Sequence, residues 1–270
     1  MIVVLLATAA VLVVVERFPR WRFRSQRLLR AHAGSDLLYL GTGWLAGASV
    51  ALAYVDTGTR LVGATGIPRW ADLHPPLWVT VPLALLLIDA GNYAAHWLLH
   101  RVDALWQLHK IHHSSRQLDW LATFRSHILE QVLRRLLAPA LLIAVGVPIA
   151  AVALAGTIFT AWAAVNHANL RFGPSWFERL FITPRLHRIH HDPVTSEHNL
   201  GTVLTIWDRL RGTLVTGEPA AHQFGVPGEL GSYPQDWLRQ LVQPLGKLRL
   251  RTAGRVLPAV VDAGTARSSV

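Results

Sequence analysis

LLAPALLIAVGVPIAAVALAGTIFTAWAAV, residues 136–165, is the stretch whose reading decides the fold. As one straight helix it would run for about 45 Å at about 1.5 Å per residue. A bilayer's hydrocarbon core is only about 30 Å thick. Gly146 and Pro148 interrupt the run, and both residues end or bend helices. The reading is therefore a helical hairpin that enters and leaves on the same side. On one flank of it stands HKIHH, residues 109–113, and on the other HRIHH, residues 187–191. A hairpin brings these two clusters together; a single crossing would put them on opposite faces.

The rest of the composition agrees with a membrane protein. Of 270 residues, 51% are hydrophobic and 16% charged, and the mean hydropathy is +0.31. Cysteine is absent, which excludes disulfides, zinc fingers and thiolate catalysis. The net charge of +10 comes almost wholly from Arg, with Lys110 and Lys247 the only lysines. Because the charges flank apolar runs, they point to anionic lipid and topology control, not to nucleic acid.

Further apolar runs lie at 2–15, 37–55 and 77–95. The first is short for a crossing and is followed, not preceded, by positive charge, so it reads as a signal-anchor helix and not a cleaved signal. Residues 56–76 read as a loop. Segments 16–36 and 101–135 are Arg-rich, whereas 56–76 holds only Arg60 and Arg69. The charge bias places the Arg-rich segments and both histidine clusters on the cytoplasmic side, in a cell inner or plasma membrane. The expected fold is thus an all-α membrane protein with about four to five transmembrane helices, hairpin included, and a cytoplasmic helical cap carrying a His-rich dimetal site. Expected boundaries are 1–84 for the N-terminal helices and basic loop, 85–215 for the catalytic domain, and 216–270 for an amphipathic segment and loose tail. In that last part, Trp237, Leu238, Leu241, Leu245 and Leu248 fit either an interfacial helix or one packed on the cap.

The chemistry is carried by histidine. His96 and His100 form H-x-x-x-H; His109, His112 and His113 form H-x-x-H-H, and His187, His190 and His191 repeat it. Positions i, i+3 and i+4 share a helix face, so each group can aim its imidazoles at one point. Imidazole suits Fe, Zn, Cu and Ni. Eight imidazoles exceed the needs of one ion and suit two. His127 and His167 extend the candidate ligands to ten, or orient a ligand from behind. His198 lies within reach; His32, His74 and His222 are isolated. Asp89, buried in an apolar run, is expected to be paired and functional. Asn166 and Asn169 could hydrogen-bond a ligand or the turn, and Trp120 and Trp162 could line a substrate pocket.

The phrases HWLLH (96–100), HKIHHSS (109–115), DWLATFRSHILE (119–130), NHANL (166–170), TPRLHRIHHD (183–192) and WDRLRGT (207–213) resemble the fatty acid hydroxylase/sterol desaturase superfamily, over about residues 85–215. The resemblance implies that the eight clustered histidines carry a centre of two Fe ions, with Zn possible in isolated protein. His127 and His167 fall where that family also places histidines. It implies O2 as co-substrate and hydroxylation or desaturation of a lipid. Some members append a cytochrome b5 domain, for which this chain shows no segment. Electrons are therefore expected from a separate ferredoxin, flavoprotein or cytochrome b5-like partner. Two other functions fit part of the pattern. A Zn-dependent membrane hydrolase or isomerase would use metal-activated water. A metal transporter or sensor would need ligands at mid-membrane, whereas these clusters sit beyond the apolar runs.

Overall fold

The computed structural model describes residues 2–27, 30–66, 69–219 and 223–247. His222, Leu248 and the expected tail at 252–270 lie outside the described residues. All regular elements described are helical: α1 Ile2–Val15, α2 Ala33–Ala64, α3 Leu77–Arg101, α4 Asp103–His113, α5 Ile128–Val145, α6 Ile149–His167, α7 Pro184–His191, α8 Ile206–Arg211 and α9 Trp237–Val242.

The hairpin forms where the sequence breaks. α5 ends at Gly146, whose φ of 70° is the left-handed conformation that glycine accepts without strain. Pro148 then sits as the N-cap of α6. Ala84 and Ile88 of α3, Leu142 of α5 and Ala155 of α6 make one core cluster, so α3 packs against both arms. Two small alanines let the backbones approach. Leu12 and Val15 of α1 pack on Ala164 and Val165 of α6.

One expectation is corrected here. Residues 56–64 are not loop, because α2 continues to Ala64. The stretch DTGTRLVGA contains no proline, and Asp56 pairs with Arg60 one turn on, at 3.1 Å. Among the described residues two helices, α3 and α6, are long and apolar enough to cross a membrane, and the run Val3–Val15 is apolar but shorter. At the other end, Trp237 and Leu241 pack on the cluster of Tyr39, Trp106, Ile111, Val226 and Tyr233. The short α9 therefore covers protein with those two residues and leaves Leu238 and Val242 exposed.

Two buried polar knots brace the region that holds the histidines. In the first, Asp36 of α2 accepts from Arg125 at 2.9 Å and also binds Arg30, which in turn donates to Asp119 at 2.7 Å. Arg125 also donates to Ser114, just past α4, and to Gln235, before α9. Charges this deep survive only because each finds a counter-charge and hydrogen bonds. In the second, Asp89 of α3 accepts from Val203 N at 2.9 Å, Leu204 N at 3.0 Å and Trp207 Nε1 at 2.7 Å. It is a staple that fixes the 200–207 segment to a helix.

Asp89→Asn keeps one acceptor oxygen but puts an NH2 group where the other accepts, before Val203 N or before Leu204 N and Trp207 Nε1. It should cost about 2–3 kcal/mol, the penalty of leaving buried polar groups unpaired. Denaturation of detergent-solubilised protein measures this, with Asp56→Asn, in an exposed pair, expected to leave stability unchanged.

Candidate metal centre

The H-x-x-H-H repeat builds the site by simple helix geometry. α4 starts after extended Val102 and runs Asp103–His113, so its C-terminal end carries His109, His112 and His113. α7 is set by Thr183, whose hydroxyl accepts from Leu186 N, with Pro184 in the first turn. Its C-terminal half carries His187, His190 and His191. Neighbouring residues in a helix point about 100° apart, so an HH pair cannot serve one point. The pairs are in fact divided. His96, His100, His109, His113 and His190 form one nest, and His112, His167, His187 and His191 form another. Within each, one nitrogen per residue lies within 4.8 Å of the others. Each helix thus sends its i and i+4 histidines to one nest and its i+3 histidine to the other, with α4 and α7 exchanging roles. The nests abut, with His113 and His191 ring centroids 4.7 Å apart.

Every imidazole in both nests is buried. Burial first, and the neighbouring imidazoles with it, holds His109, His112, His113, His187, His190 and His191 well below the ordinary imidazole value. They are neutral at pH 7 and each has one bare nitrogen. Which nitrogen is bare follows from the surrounding acceptors. His96 Nδ1 donates to Leu200 O at 2.7 Å, His112 Nδ1 to Arg125 O at 3.2 Å, His167 Nδ1 to Ala163 O at 2.9 Å and His190 Nδ1 to His198 O at 3.0 Å. His109 Nδ1 donates to Glu130 Oε1 at 2.9 Å, a carboxylate also held by Arg134 at 2.9 Å. With the proton on Nδ1, each of these rings turns a lone pair inward at Nε2.

Those lone pairs then face one another. His96 Nε2 is 3.0 Å from His109 Nε2, and His112 Nε2 is 3.2 Å from His167 Nε2. Neither pair has a proton to share. His167, His187 and His191 form a triangle of Nε2 atoms with sides of 3.0, 3.2 and 3.2 Å. Three imidazole nitrogens cannot all satisfy one another, since each is either donor or acceptor. His190 Nε2 and both ring nitrogens of His113 have no hydrogen-bond partner at all. A cation resolves all of this. Two nitrogens each about 2.1 Å from one ion, at right angles, lie about 3.0 Å apart. The donor set therefore fits a transition metal in each nest, and all-imidazole coordination suits Fe, Zn, Cu or Ni.

The structure brings nine of the ten expected histidines together and leaves His127 apart. His127 instead caps α5, its Nδ1 accepting from Leu129 N at 3.1 Å while Nε2 donates to Leu241 O at 3.1 Å. Both nitrogens are used, so it has none for a metal. His198 contributes its carbonyl to His190, not its ring. Asn166 donates to Thr202 O at 2.7 Å, and Asn169 joins the Arg24 backbone and Glu16, so neither touches a nest nitrogen. Trp162 donates to Ile182 O and packs with tilted rings against Phe177 and Phe181.

Several supporting residues were not singled out by sequence. Asp208 accepts from Leu200 N, Gly201 N and Thr213 Oγ1, which shapes the loop whose Leu200 carbonyl orients His96. A Cβ at Gly201 would meet Leu204 O at 2.8 Å, so this close approach requires glycine. Asn199, at φ 53°, accepts from Val215 N and donates to Leu186 O. EHNLG and WDRLRGT were visible phrases, but only the fold shows that they clasp each other.

Comparison with known proteins agrees with the geometry. A fatty acid hydroxylase family model matches residues 81–213. The ornithine lipid hydroxylase OlsE of Rhizobium tropici is 33% identical over 183 residues, covering 66% of this chain and 54% of its own. The alkylglycerol monooxygenases of Danio rerio and Homo sapiens are each 29% identical, covering 48% of this chain and 29% of theirs. The chain thus spans about half the length of the first relative and under a third of the other two. No solved structure matches. Family model, relatives and histidine pattern all support the fatty acid hydroxylase superfamily for residues 81–213.

Proposed function

We propose that this chain is a membrane-bound lipid hydroxylase that uses O2 and holds one iron ion in each histidine nest. The observation that carries the reading is the opposition of bare, buried Nε2 atoms at 3.0–3.2 Å in two adjoining nests. The relatives are a lipid hydroxylase and monooxygenases by name. The overall change would be insertion of one oxygen atom of O2 into a C–H bond, the other leaving as water with two electrons and two protons. Two adjacent redox ions would supply the oxygen activation that no amino-acid side chain can. Zn could take the same ligands in isolated protein.

The residues of this chain have defined tasks in that chemistry. The six imidazoles of α4 and α7 stay neutral, and the five rings with an outer acceptor keep their lone pairs aimed inward. Leu200, Arg125, Ala163 and His198 carbonyls hold the outer N–H of four of them in place. Glu130 holds that of His109 and raises its basicity as a ligand, a role that second partners of metal-bound histidine commonly play. The buried position of all nine excludes bulk water.

The membrane reading has physical support in the exposed faces. Leu77, Trp78 and Leu86 of α3, and Ile149, Leu154 and Ile158 of α6, project outward. Apolar faces of this extent suit lipid, not water. Counted from Leu77, His96 and His100 come about 28–34 Å along α3, near the far edge of a core about 30 Å thick. With the charge bias of the loops, this supports a metal centre at the cytoplasmic face. A lipid chain could then reach it from the bilayer while a ferredoxin, flavoprotein or cytochrome b5-like donor approaches from water. We retain four to five crossings, and 1–84, 85–215 and 216–270 as the functional divisions.

Three measurements test this reading. Purified His112→Ala and His190→Ala should each lose metal from a different nest, together with activity, while His32→Ala loses neither; full metal occupancy in both nest variants would remove the assignment. Glu130→Gln should weaken metal retention or activity by about 10–100-fold, as loss of an orienting partner does, and competition with a chelator reads it. Lipid mass spectra of cells making the wild type should show a product heavier by one oxygen atom than in cells making His112→Ala. A product lighter by two hydrogens would instead mean desaturation, and turnover without O2 and reductant would mean a hydrolase or isomerase.

A further inference from the structure

A surface outside the metal centre has its own pattern. Residues 176–180 and α8 lie side by side. Thr205 N donates to Leu180 O, Thr205 Oγ1 and Arg209 Nη2 both donate to Arg179 O, and Phe181 bridges Leu204. Together they expose Trp176 (67%), Leu180 (63%), Ile206 (42%) and Leu210 (74%). Trp176 and Leu180 are four residues apart, as are Ile206 and Leu210. The same segments carry exposed Arg179 and Arg209; Arg211 is also exposed, its guanidinium lying 4.4 Å from the Trp97 ring of α3. The acids of the same segments are turned inward. Glu178 binds Thr183 and Arg185, and Asp208 binds Leu200, Gly201 and Thr213. The outer face is therefore apolar and positive, with no carboxylate of its own.

Its height along the long helices is fixed by two tethers. Trp207 donates to Asp89, which is about 18 Å along α3 from Leu77. Trp162, about 20 Å along α6 from Ile149, packs on Phe177 and Phe181 at 5.9 Å. Both tethers fall short of the far edge of a hydrocarbon core about 30 Å thick. By these tethers the patch lies about 10 Å inside that far edge, on the acyl side of the headgroups and beside α3 and α6. Arg side chains there can extend toward phosphates while apolar neighbours stay below.

We propose that residues 176–180 and α8 form a membrane-immersed element that binds anionic lipid, in the leaflet next to the metal centre, through Arg179, Arg209 and Arg211. This inference rests on the membrane reading above. The element carries the segment that supplies Leu200 O to His96, so the bilayer surface would brace one wall of the metal centre.

The natural absence of cysteine gives a direct test. Single variants Trp176→Cys, Leu180→Cys and Leu210→Cys, in the full chain, are labelled with an environment-sensitive fluorophore and placed in nanodiscs of mixed phosphatidylglycerol and phosphatidylcholine. Ile158→Cys on α6 and Glu218→Cys, whose side chain is 71% exposed, serve as lipid and water references. Labels at 176, 180 and 210 should be quenched by brominated lipid like the label at 158, and shielded from iodide several-fold relative to 218. Iodide quenching equal to that at 218, with 158 still lipid-quenched, would overturn this proposal alone. If 158 is also water-exposed, the membrane reading itself fails. Arg179→Gln with Arg209→Gln, or nanodiscs of phosphatidylcholine only, should lower lipid quenching at 210 several-fold; unchanged quenching would overturn the anionic-lipid assignment.

Discussion

Lone pairs that face each other without a proton between them are the constraint on which this structure turns. Two imidazoles 3.0–3.2 Å apart, each with its proton committed to a carbonyl or carboxylate outside, repel unless a cation sits within reach. The outer acceptors create the condition. Leu200, Arg125, Ala163 and His198 offer only carbonyl oxygen, and a carbonyl can only accept. Outside the nests, the polar frame is therefore set to choose the tautomer, and the tautomer sets the binding chemistry within.

That frame must be stiff, and it is made so by buried charge. Asp36, Arg30, Arg125 and Asp119 tie α2 to the ends of α4 and the segment before α9, and Arg125's own carbonyl holds His112. Asp89 and Asp208 fasten the 200–207 segment from two sides. Removing water from such groups is costly, and each stays charged only in one arrangement of partners. The cost is accepted where a loop, not a helix, has to present a backbone carbonyl to a ligand. The same segment joins the histidine nests to the exposed surface of α8.

The division of adjacent histidines explains why the motif occurs twice. One H-x-x-H-H helix supplies two imidazoles to one nest and one to the other, which leaves the second nest short. A second copy, with its roles exchanged, evens the supply. His96 and His100 then bring one nest to five, and His167 brings the other to four. The inequality leaves the second nest with the smaller set.

Much of this was legible in residues 96–191 read as text. The i, i+3, i+4 spacing, the break at Gly146 and Pro148 and the lack of cysteine each act locally, so a linear reading captures them. The extent of α2 was not legible, because no single residue in 56–64 settles helix against loop and packing against α5 decides it. Nor could sequence separate His127 from His167. Both follow a polar residue at the edge of an apolar helix, but His127 stands at the start of α5, where its ring is drawn into capping, while His167 ends α6 with its Nε2 aimed at α4 and α7. The sequence by itself determined which residue types could grip a metal and that a hairpin would gather them. Only the tertiary structure decided which nitrogen of each ring faces inward and which nest it joins, because those follow from carbonyls and carboxylates supplied by residues up to 104 positions away.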